Sequence, residues 1–103
     1  MYSMIYITTS GVSESKKIAR KLLEEKLAAC INIIPAIDSI YLWKHEIEQA
    51  TESIMVVKTK SGLVEEVIKR VEDIHSYEIP CILEISVVKG SKSYLKWMDS
   101  ELN

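Results

Sequence analysis

Apolar residues recur every three to four positions in two stretches, the spacing that predicts amphipathic helices. The first stretch covers residues 14–28 and the second covers residues 63–74. Ser13 and the Ser61-Gly62 pair precede these stretches and are predicted to cap the two helices. A short third helix is predicted near the C-terminus, where Ser91 or Ser93 supplies the cap.

The remaining apolar positions follow strand patterns, with β-branched and aromatic residues in short runs or in alternation. Four segments are predicted to be strands: residues 2–10, centred on residues 4–7, then residues 30–43, 47–60 and 81–90. The second and third strands form a hairpin that turns at "KHE", residues 44–46. Pro35 interrupts the first arm, and because proline cannot donate a ladder hydrogen bond, a bulge or an edge is predicted there.

The resulting order is strand, helix, strand, strand, helix, strand, helix. Its first six elements are those of the ferredoxin-like split βαβ sandwich, an α+β fold in which two helices cover one face of an antiparallel sheet. A length of 103 residues suits one domain, residues 1–103, with a long central hairpin and a short C-terminal helix.

The hairpin is longer than a monomer of this size needs. Each arm has roughly a dozen residues or more, against a usual strand of about 5–6, and would reach roughly 40 Å. Its outer half carries six large apolar side chains: Ile37, Ile40, Tyr41, Leu42, Trp43 and Ile47. Left in water they would form an apolar patch on an open edge. We therefore expect a homo-oligomer, more readily a closed ring than an open chain.

Charge and composition exclude several classes of partner. The formal net charge is −2 with no basic block, which argues against nucleic acid and against an anionic membrane surface. The apolar runs are too short to span a bilayer, and the first residues lack the features of a signal peptide. Cys30 and Cys81 are therefore expected to be reduced, cytoplasmic thiols, and as small apolar side chains they favour the core.

Five short motifs together resemble the CutA divalent-cation tolerance family. They are "KLAACIN" (26–32), "YLWKHEIE" (41–48), "KT" (58–59), "HSYEIP" (75–80) and "YLKW" (94–97). The resemblance implies a ferredoxin-like fold, a homotrimer in the cytoplasm, and a role in tolerance of copper and other divalent cations, with no settled enzymatic reaction. Three departures stand out: Ser76 replaces a frequent proline, His45 replaces a frequent glycine at the hairpin turn, and the first strand has no thiol.

Metal-ligating side chains are present but not in a local chelating motif. Copper and zinc favour imidazole and thiolate, and His75 and Cys30 are the candidate ligands. No CxxC, HxxxH or HxH pattern occurs, so a site has to assemble from distant segments or between subunits. No cofactor is required; a divalent copper or zinc ion is the candidate ligand. The structural alternative is that His75 ends the second helix, because the C-terminal end of a helix favours a cation.

A second candidate is a ligand pocket between subunits, which the resemblance implies. Its predicted residues are Trp43, Glu48, Glu52, Lys58, His75, Tyr77 and Glu78. Aromatic and polar side chains of this kind suit a small ligand, but they also suit interface packing and pairing. His75, Tyr77 and Glu78 are also candidates for general acid–base groups. No nucleophile–base pair is visible in an activating motif, so an enzyme is the least favoured function and no catalytic residue is predicted. The predicted function is a homotrimeric binding protein of the CutA type; the alternative is a trimeric small-molecule-sensing or signalling module.

Overall fold

The computed structural model describes residues 1–103 as one antiparallel sheet and three α-helices. The elements are β1 (Tyr2–Thr9), α1 (Val12–Glu24), β2 (Cys30–Trp43), β3 (Glu46–Lys60), α2 (Val64–Ile74), β4 (Ile82–Val87) and α3 (Lys92–Glu101). A 3-10 turn, Ser61–Leu63, leads into α2. The strand order is β2-β3-β1-β4, the order of the split βαβ sandwich, so the predicted α+β fold is confirmed.

The hydrophobic core lies between one side of the sheet and the two longer helices. Successive strand residues point to opposite sides, so the odd positions of β1 and β3 alternate into this core. Its fully buried apolar side chains are Ile5, Ile7, Met55 and Val57 from the sheet and Ile18, Leu22, Val67 and Val71 from the helices. The helical stripes read from the sequence are the faces that meet the sheet.

The other side of the sheet, called here the open face, carries no helix over most of its area. Ile34, Leu83 and Ile85 are exposed on it. Only α3 covers one end, where Met98 is buried and the Tyr2 hydroxyl donates to Asp99 over 2.8 Å. Exposed apolar patches of this kind are typical of surfaces that contact another protein.

The central hairpin is as long as predicted. Strands β2 and β3 have 14 and 15 residues, and the longest extent of the molecule is 45 Å. The pairing shifts by one residue between Ile34 and Ile37, which confirms the bulge at Pro35. In the outer half, Ile40, Leu42 and Ile47 are 69%, 73% and 76% exposed.

The start of α1 differs from the prediction. The helix begins at Val12 after Gly11, and Ser13 does not cap it. Instead the Glu14 carboxylate, in the first turn, reaches back and accepts the backbone N–H of Ser10 at 3.0 Å. An acidic side chain at this position satisfies a free donor and also suits the helix dipole. The helix ends at Glu24, four residues before the predicted end, because the chain turns with a positive φ at Lys26.

Of the other two predicted helix caps, one is absent and one is confirmed. Ser61 lies in the 3-10 turn, so α2 begins later, at Val64, without a side-chain cap. Ser91 caps α3, where its hydroxyl accepts the backbone N–H of Tyr94 at 3.4 Å. Cap prediction from a single serine is weak because the same residue type also favours turns.

Candidate functional site

A cleft of about 700 Å³ opens on the open face, between the outer half of the hairpin and the segment that joins α2 to β4. We call it the hairpin cleft. It is lined by Tyr6, Thr8, Ser39, Tyr41, Leu42, Trp43, Glu48, Glu52, Tyr77, Glu78, Ile79 and Cys81. Five of the seven residues expected in a ligand pocket therefore meet within a single chain: Trp43, Glu48, Glu52, Tyr77 and Glu78.

The bulge at Pro35 decides which side chains of β2 reach the cleft. Before the bulge the even positions of β2 face the open side, as Ile34 does opposite Ile54. After it the odd positions do, because β2 has gained one residue relative to β3. Tyr41, opposite Glu48, and Trp43 thus turn toward the cleft, whereas an unbroken ladder would send them to the other side.

Glu52 and Tyr77 form the polar centre of the cleft. Glu52 is only 8% exposed, and its Oε2 accepts a hydrogen bond of 2.8 Å from the Tyr77 hydroxyl. Burial first, and then the neighbouring Glu52 carboxylate, raise the pKa of Tyr77 above its ordinary value. The phenol therefore stays protonated and serves as a donor near neutral pH.

His75 lies behind Tyr77 rather than in the lining of the cleft. Its ring is fully buried, Nε2 is 2.8 Å from the Thr8 carbonyl, and Nδ1 is 3.0 Å from the Tyr77 backbone nitrogen. Because a backbone N–H only donates, Nδ1 is the acceptor and Nε2 carries the proton that binds Thr8. His75 also ends α2, as the sequence suggested. Both ring nitrogens are thus engaged, and metal ligation would break one of these bonds.

Glu14 fixes the loop that carries Tyr77, a role that the sequence did not indicate. Its carboxylate accepts the N–H and the hydroxyl of Ser76 at 2.7 and 2.9 Å, in addition to its bonds with Ser10. Burial opposes ionisation, but the hydrogen bonds from Ser10 and Ser76 outweigh it and lower the pKa of Glu14 to about 2. Ser76 supplies a backbone N–H that the proline expected here from the resemblance would lack. The pair is 62 residues apart in sequence, so no local pattern reveals it.

Lys58 and Cys30 lie outside the hairpin cleft within one chain. They face each other across β2 and β3 at the level of Met4, whereas His75 contacts Thr8, four residues further along β1. Four strand residues correspond to about 13 Å. The Lys58 ammonium instead lies 5.6 Å from the Tyr94 ring centroid, at the end that α3 covers.

The cysteines and the potential metal ligands are dispersed. Cys30 and Cys81 are free thiols and half-buried, not core residues as expected, and Cys81 lines the hairpin cleft. No group of three or more His, Cys, Asp or Glu side chains lies close enough together to hold a metal ion within one chain. A site shared by Cys30 and His75 would have to join different chains.

The family model that describes the CutA1 divalent ion tolerance protein matches residues 3–101. The divalent-cation tolerance protein CutA of Archaeoglobus fulgidus is 48% identical over 99 residues, which cover 96% of each chain. Human protein CutA is 40% identical over 96 residues, which cover 93% of this chain but 54% of the human protein. The chain thus spans nearly all of the archaeal relative and about half of the human one.

Solved structures agree with the fold. The periplasmic divalent cation tolerance protein CutA from Archaeoglobus fulgidus superposes with a TM-score of 0.97 at 45% identity, covering 100% of both chains. The divalent cation tolerance protein of Thermus thermophilus superposes with a TM-score of 0.96 at 33% identity, again over 100% of both chains. None of the helices of the present chain has the length and apolar character needed to cross a membrane.

Proposed function

Because the chain belongs to the CutA1 divalent ion tolerance protein family, we propose that it is a homotrimeric binding protein that acts in tolerance of divalent metal cations, copper among them. The descriptions of its relatives name tolerance of cations and no enzymatic reaction. The hairpin cleft also offers no nucleophile held by a base: its one thiol, Cys81, has no histidine among the lining residues. Binding rather than catalysis is therefore the proposed activity.

The uncovered apolar surface carries the proposal of a closed homo-oligomer, and the resemblance to the family supplies the number of three chains. The open face exposes Leu83 and Ile85, and the outer hairpin exposes Ile40, Leu42 and Ile47, all within one 103-residue chain. Water is a poor environment for such a surface. A closed ring of copies covers it in every subunit and leaves no free edge.

Size-exclusion chromatography with light scattering tests the trimer directly. At micromolar concentration we expect three chains of 11.8 kDa each. Ile47→Asp, in the exposed outer hairpin, should shift the population toward smaller species, because it places a charge in an apolar interface. Leu23→Asp, on the exposed side of α1, is the matched control and should leave the mass unchanged. A wild-type monomer would remove the proposal.

Copper or zinc binding is the part of the proposal that concerns Cys30 and His75. A soft thiolate and an imidazole suit these ions. Because Cys30 and His75 lie at different levels of the sheet within one chain, a shared site requires ligands from different subunits. Calorimetry with Cu(II), Cu(I) and Zn(II) should show saturable binding that Cys30→Ser weakens. Cys81→Ser is the control thiol. Binding that is unchanged in both Cys30→Ser and His75→Ala would eliminate these residues as ligands.

The hairpin cleft favours a second candidate function, a trimeric module that senses or signals a small molecule. A concave site of about 700 Å³ with aromatic walls and a few polar groups has the size and character of a small-ligand pocket. A thermal-shift screen with small cations, anions and nucleotides should find a compound that raises the melting temperature of the wild type. The same compound should have little effect on Trp43→Ala. A screen without any shift would leave this candidate unsupported.

We propose a cytoplasmic location, which the two free and partly accessible thiols support, because a reducing compartment preserves that state. The relatives are assigned to different compartments: the Archaeoglobus protein is named as periplasmic and the Arabidopsis protein as chloroplastic. Fractionation of the native cells, followed by thiol labelling, is expected to find reduced Cys30 and Cys81 in the soluble cytoplasmic fraction.

A further inference from the structure

Three buried hydroxyl groups, called here the hydroxyl chain, lie between α1 and the bulge of the central hairpin. They belong to Thr9 at the end of β1, Ser15 in α1 and Ser53 in β3, and all three residues are fully buried. The Ser15 hydroxyl lies 2.7 Å from that of Thr9 and donates to that of Ser53 over 3.0 Å. The Ser53 hydroxyl donates in turn to the Ile34 carbonyl over 3.0 Å. One series of hydrogen bonds thereby joins β1, α1, β3 and β2.

The hydroxyl chain has a single direction. A carbonyl oxygen only accepts, so the one hydroxyl proton of Ser53 is committed to Ile34. Ser53 then accepts from Ser15, and because this uses the one proton of Ser15, Ser15 can only accept from Thr9. The chain therefore ends on the backbone of β2, and removal of the Ser53 hydroxyl takes this donor away from the Ile34 carbonyl.

Ser53 occupies the position in β3 at which the hairpin bulges. Between the two strand pairs that flank the bulge, β2 has one residue more than β3, and Ser53 alone lies opposite both Pro35 and Ala36. A bulge disrupts the ladder locally, and proline has no N–H to donate. The Ser53 hydroxyl binds the carbonyl of the residue just before Pro35. A buried side chain thus holds the backbone where the regular pairing stops.

The hairpin turn does not by itself favour the observed register. A two-residue turn fixes the register well when glycine or asparagine takes its positive φ angles. Here Lys44 and His45 take them, and neither residue type is suited to that conformation. The register of the outer hairpin therefore depends on a feature outside the turn.

Loss of the bulge would reverse the outer half of the hairpin. Tyr41 would pair with Ile47 instead of Glu48, and the turn would become a three-residue loop, which is also a common hairpin connection. Tyr41 and Trp43 would then leave the open face for the other side of the sheet, because a shift of one residue reverses every side chain. The bulge therefore decides which side chains the outer hairpin presents on each side.

We propose that the hydroxyl chain fixes the bulge, and with it the side of the sheet on which Tyr41 and Trp43 lie. Ser53 is the positioning residue that touches the backbone of β2, and Ser15 and Thr9 orient its hydroxyl. Fully satisfied buried networks specify one arrangement, and no buried side-chain nitrogen or oxygen lacks a partner here. The inference goes beyond the proposed function, because it concerns the pairing within a single chain, with or without a ligand.

Disulfide trapping in the full-length protein, with Cys30→Ser and Cys81→Ser, reports the register. A native reporter carries Tyr41→Cys with Glu48→Cys, and a slipped reporter carries Tyr41→Cys with Ile47→Cys. Residues that pair across two strands have Cα atoms about 4.5–5.5 Å apart, within reach of a disulfide, whereas side chains on opposite faces point apart. Peptide mass spectrometry of oxidised single chains identifies the bond. With the hydroxyl chain intact, only the native reporter should close.

Ser53→Ala should raise the ratio of slipped to native disulfide about tenfold or more, because it leaves the Ile34 carbonyl and the Ser15 hydroxyl without their partner. Ser15→Ala, which suits a helix, should raise the ratio by less. Ser3→Ala is the matched control. Ser3 is also buried in the sheet and bonded through its hydroxyl, but at the other end of β1, so the ratio should stay that of the wild type.

Three results would overturn the inference. The first is a wild-type ratio in both Ser53→Ala and Ser15→Ala; if Ser53→Ala does not fold, Ser15→Ala decides alone. The second is a shift in Pro35→Ala as large as that in Ser53→Ala, because the proline would then hold the bulge. The third is an equal shift in Ser3→Ala, which would show a general loss of stability. The mass that light scattering gives for the wild type is independent of all three, so failure here is distinguishable from failure of the proposed trimer.

Discussion

A hydrogen-bonded series of side chains connects the start of α1 to the centre of the hairpin cleft. Glu14 holds the backbone of Ser76, His75 accepts the N–H of Tyr77, and the Tyr77 hydroxyl donates to Glu52. Glu14 and His75 bind the backbone of the loop that carries Tyr77, so contacts outside the cleft set the orientation of the Tyr77 ring. Fully satisfied networks of this kind specify one arrangement of a site.

The low pKa of Glu14 predicts acid sensitivity. Because its pKa is about 2 in the folded protein and 4.5 ordinarily, the folded state favours the ionised form. The stabilisation is complete above pH 4.5 and is lost as the pH falls from there toward 2. We expect it to amount to about 1–2 kcal/mol, less than the full shift implies, because the carboxylate is partly exposed and screened.

Urea unfolding at a series of pH values measures this dependence. Glu14→Gln should be less stable than the wild type at pH 7 and should approach it below about pH 3. Glu24→Gln, on the exposed side of the same helix, is the control and should follow the wild-type curve. A parallel pH profile for Glu14→Gln and the wild type would contradict the assignment.

Removing the Tyr77 hydroxyl should destabilise the fold by about 1–3 kcal/mol, because Tyr77→Phe leaves the buried Glu52 carboxylate without its donor. Denaturant unfolding measures the loss. In a Glu52→Leu background the same substitution should cost much less, because no buried acceptor remains. Equal costs in both backgrounds would show that the ring, not the hydroxyl, carries the effect.

The central hairpin is the element that makes the site. Its length carries Trp43 and Glu48 beyond the helices, and its bulge sets which side of β2 faces the cleft. The sequence predicted the arms, the turn and the bulge from periodicity and from Pro35. It did not predict the change of side, because that depends on pairing with β3, and a shift of one residue reverses every side chain.

The hairpin turn is strained in a way that can be relieved. Lys44 and His45 both have positive φ, 50° and 69°, which suits asparagine and glycine better than side chains of this size. The double substitution Lys44→Asn with His45→Gly should therefore raise the free energy of unfolding by about 1 kcal/mol. His45→Ala removes the imidazole but keeps the Cβ, so it should bring no gain. Thermal melts of the three proteins decide between these outcomes.

The whole molecule is a two-layer sandwich in which helices cover one side of the sheet. Leu83 and Ile85 remain exposed on the other side. A chain of this size buries a limited core by itself. Association with further copies adds burial at this side, which is the physical basis of the proposed trimer.

A trimer that folds and associates together should melt at a temperature that rises with protein concentration, because mass action stabilises the assembled state. Calorimetric scans over a hundredfold concentration range should show this rise for the wild type. For an Ile47→Asp variant that light scattering finds to be monomeric, the melting temperature should be lower and independent of concentration. Concentration-independent melting of the wild type would argue for a stable single chain.

The sequence by itself predicted the elements and their order, which the structure confirms, and it predicted a homo-oligomer, which stays a prediction. These follow from local signals: the spacing of apolar residues, the position of Pro35 and the surplus of apolar positions such as Ile40 in the hairpin. Through the resemblance it also named five of the residues that line the hairpin cleft within one chain. The tertiary structure alone decided that Lys58 and Cys30 lie apart from it, and that Glu14 supports it from 62 residues away. Side-chain pairing across such distances depends on how the elements pack, and the pattern along the chain does not record it.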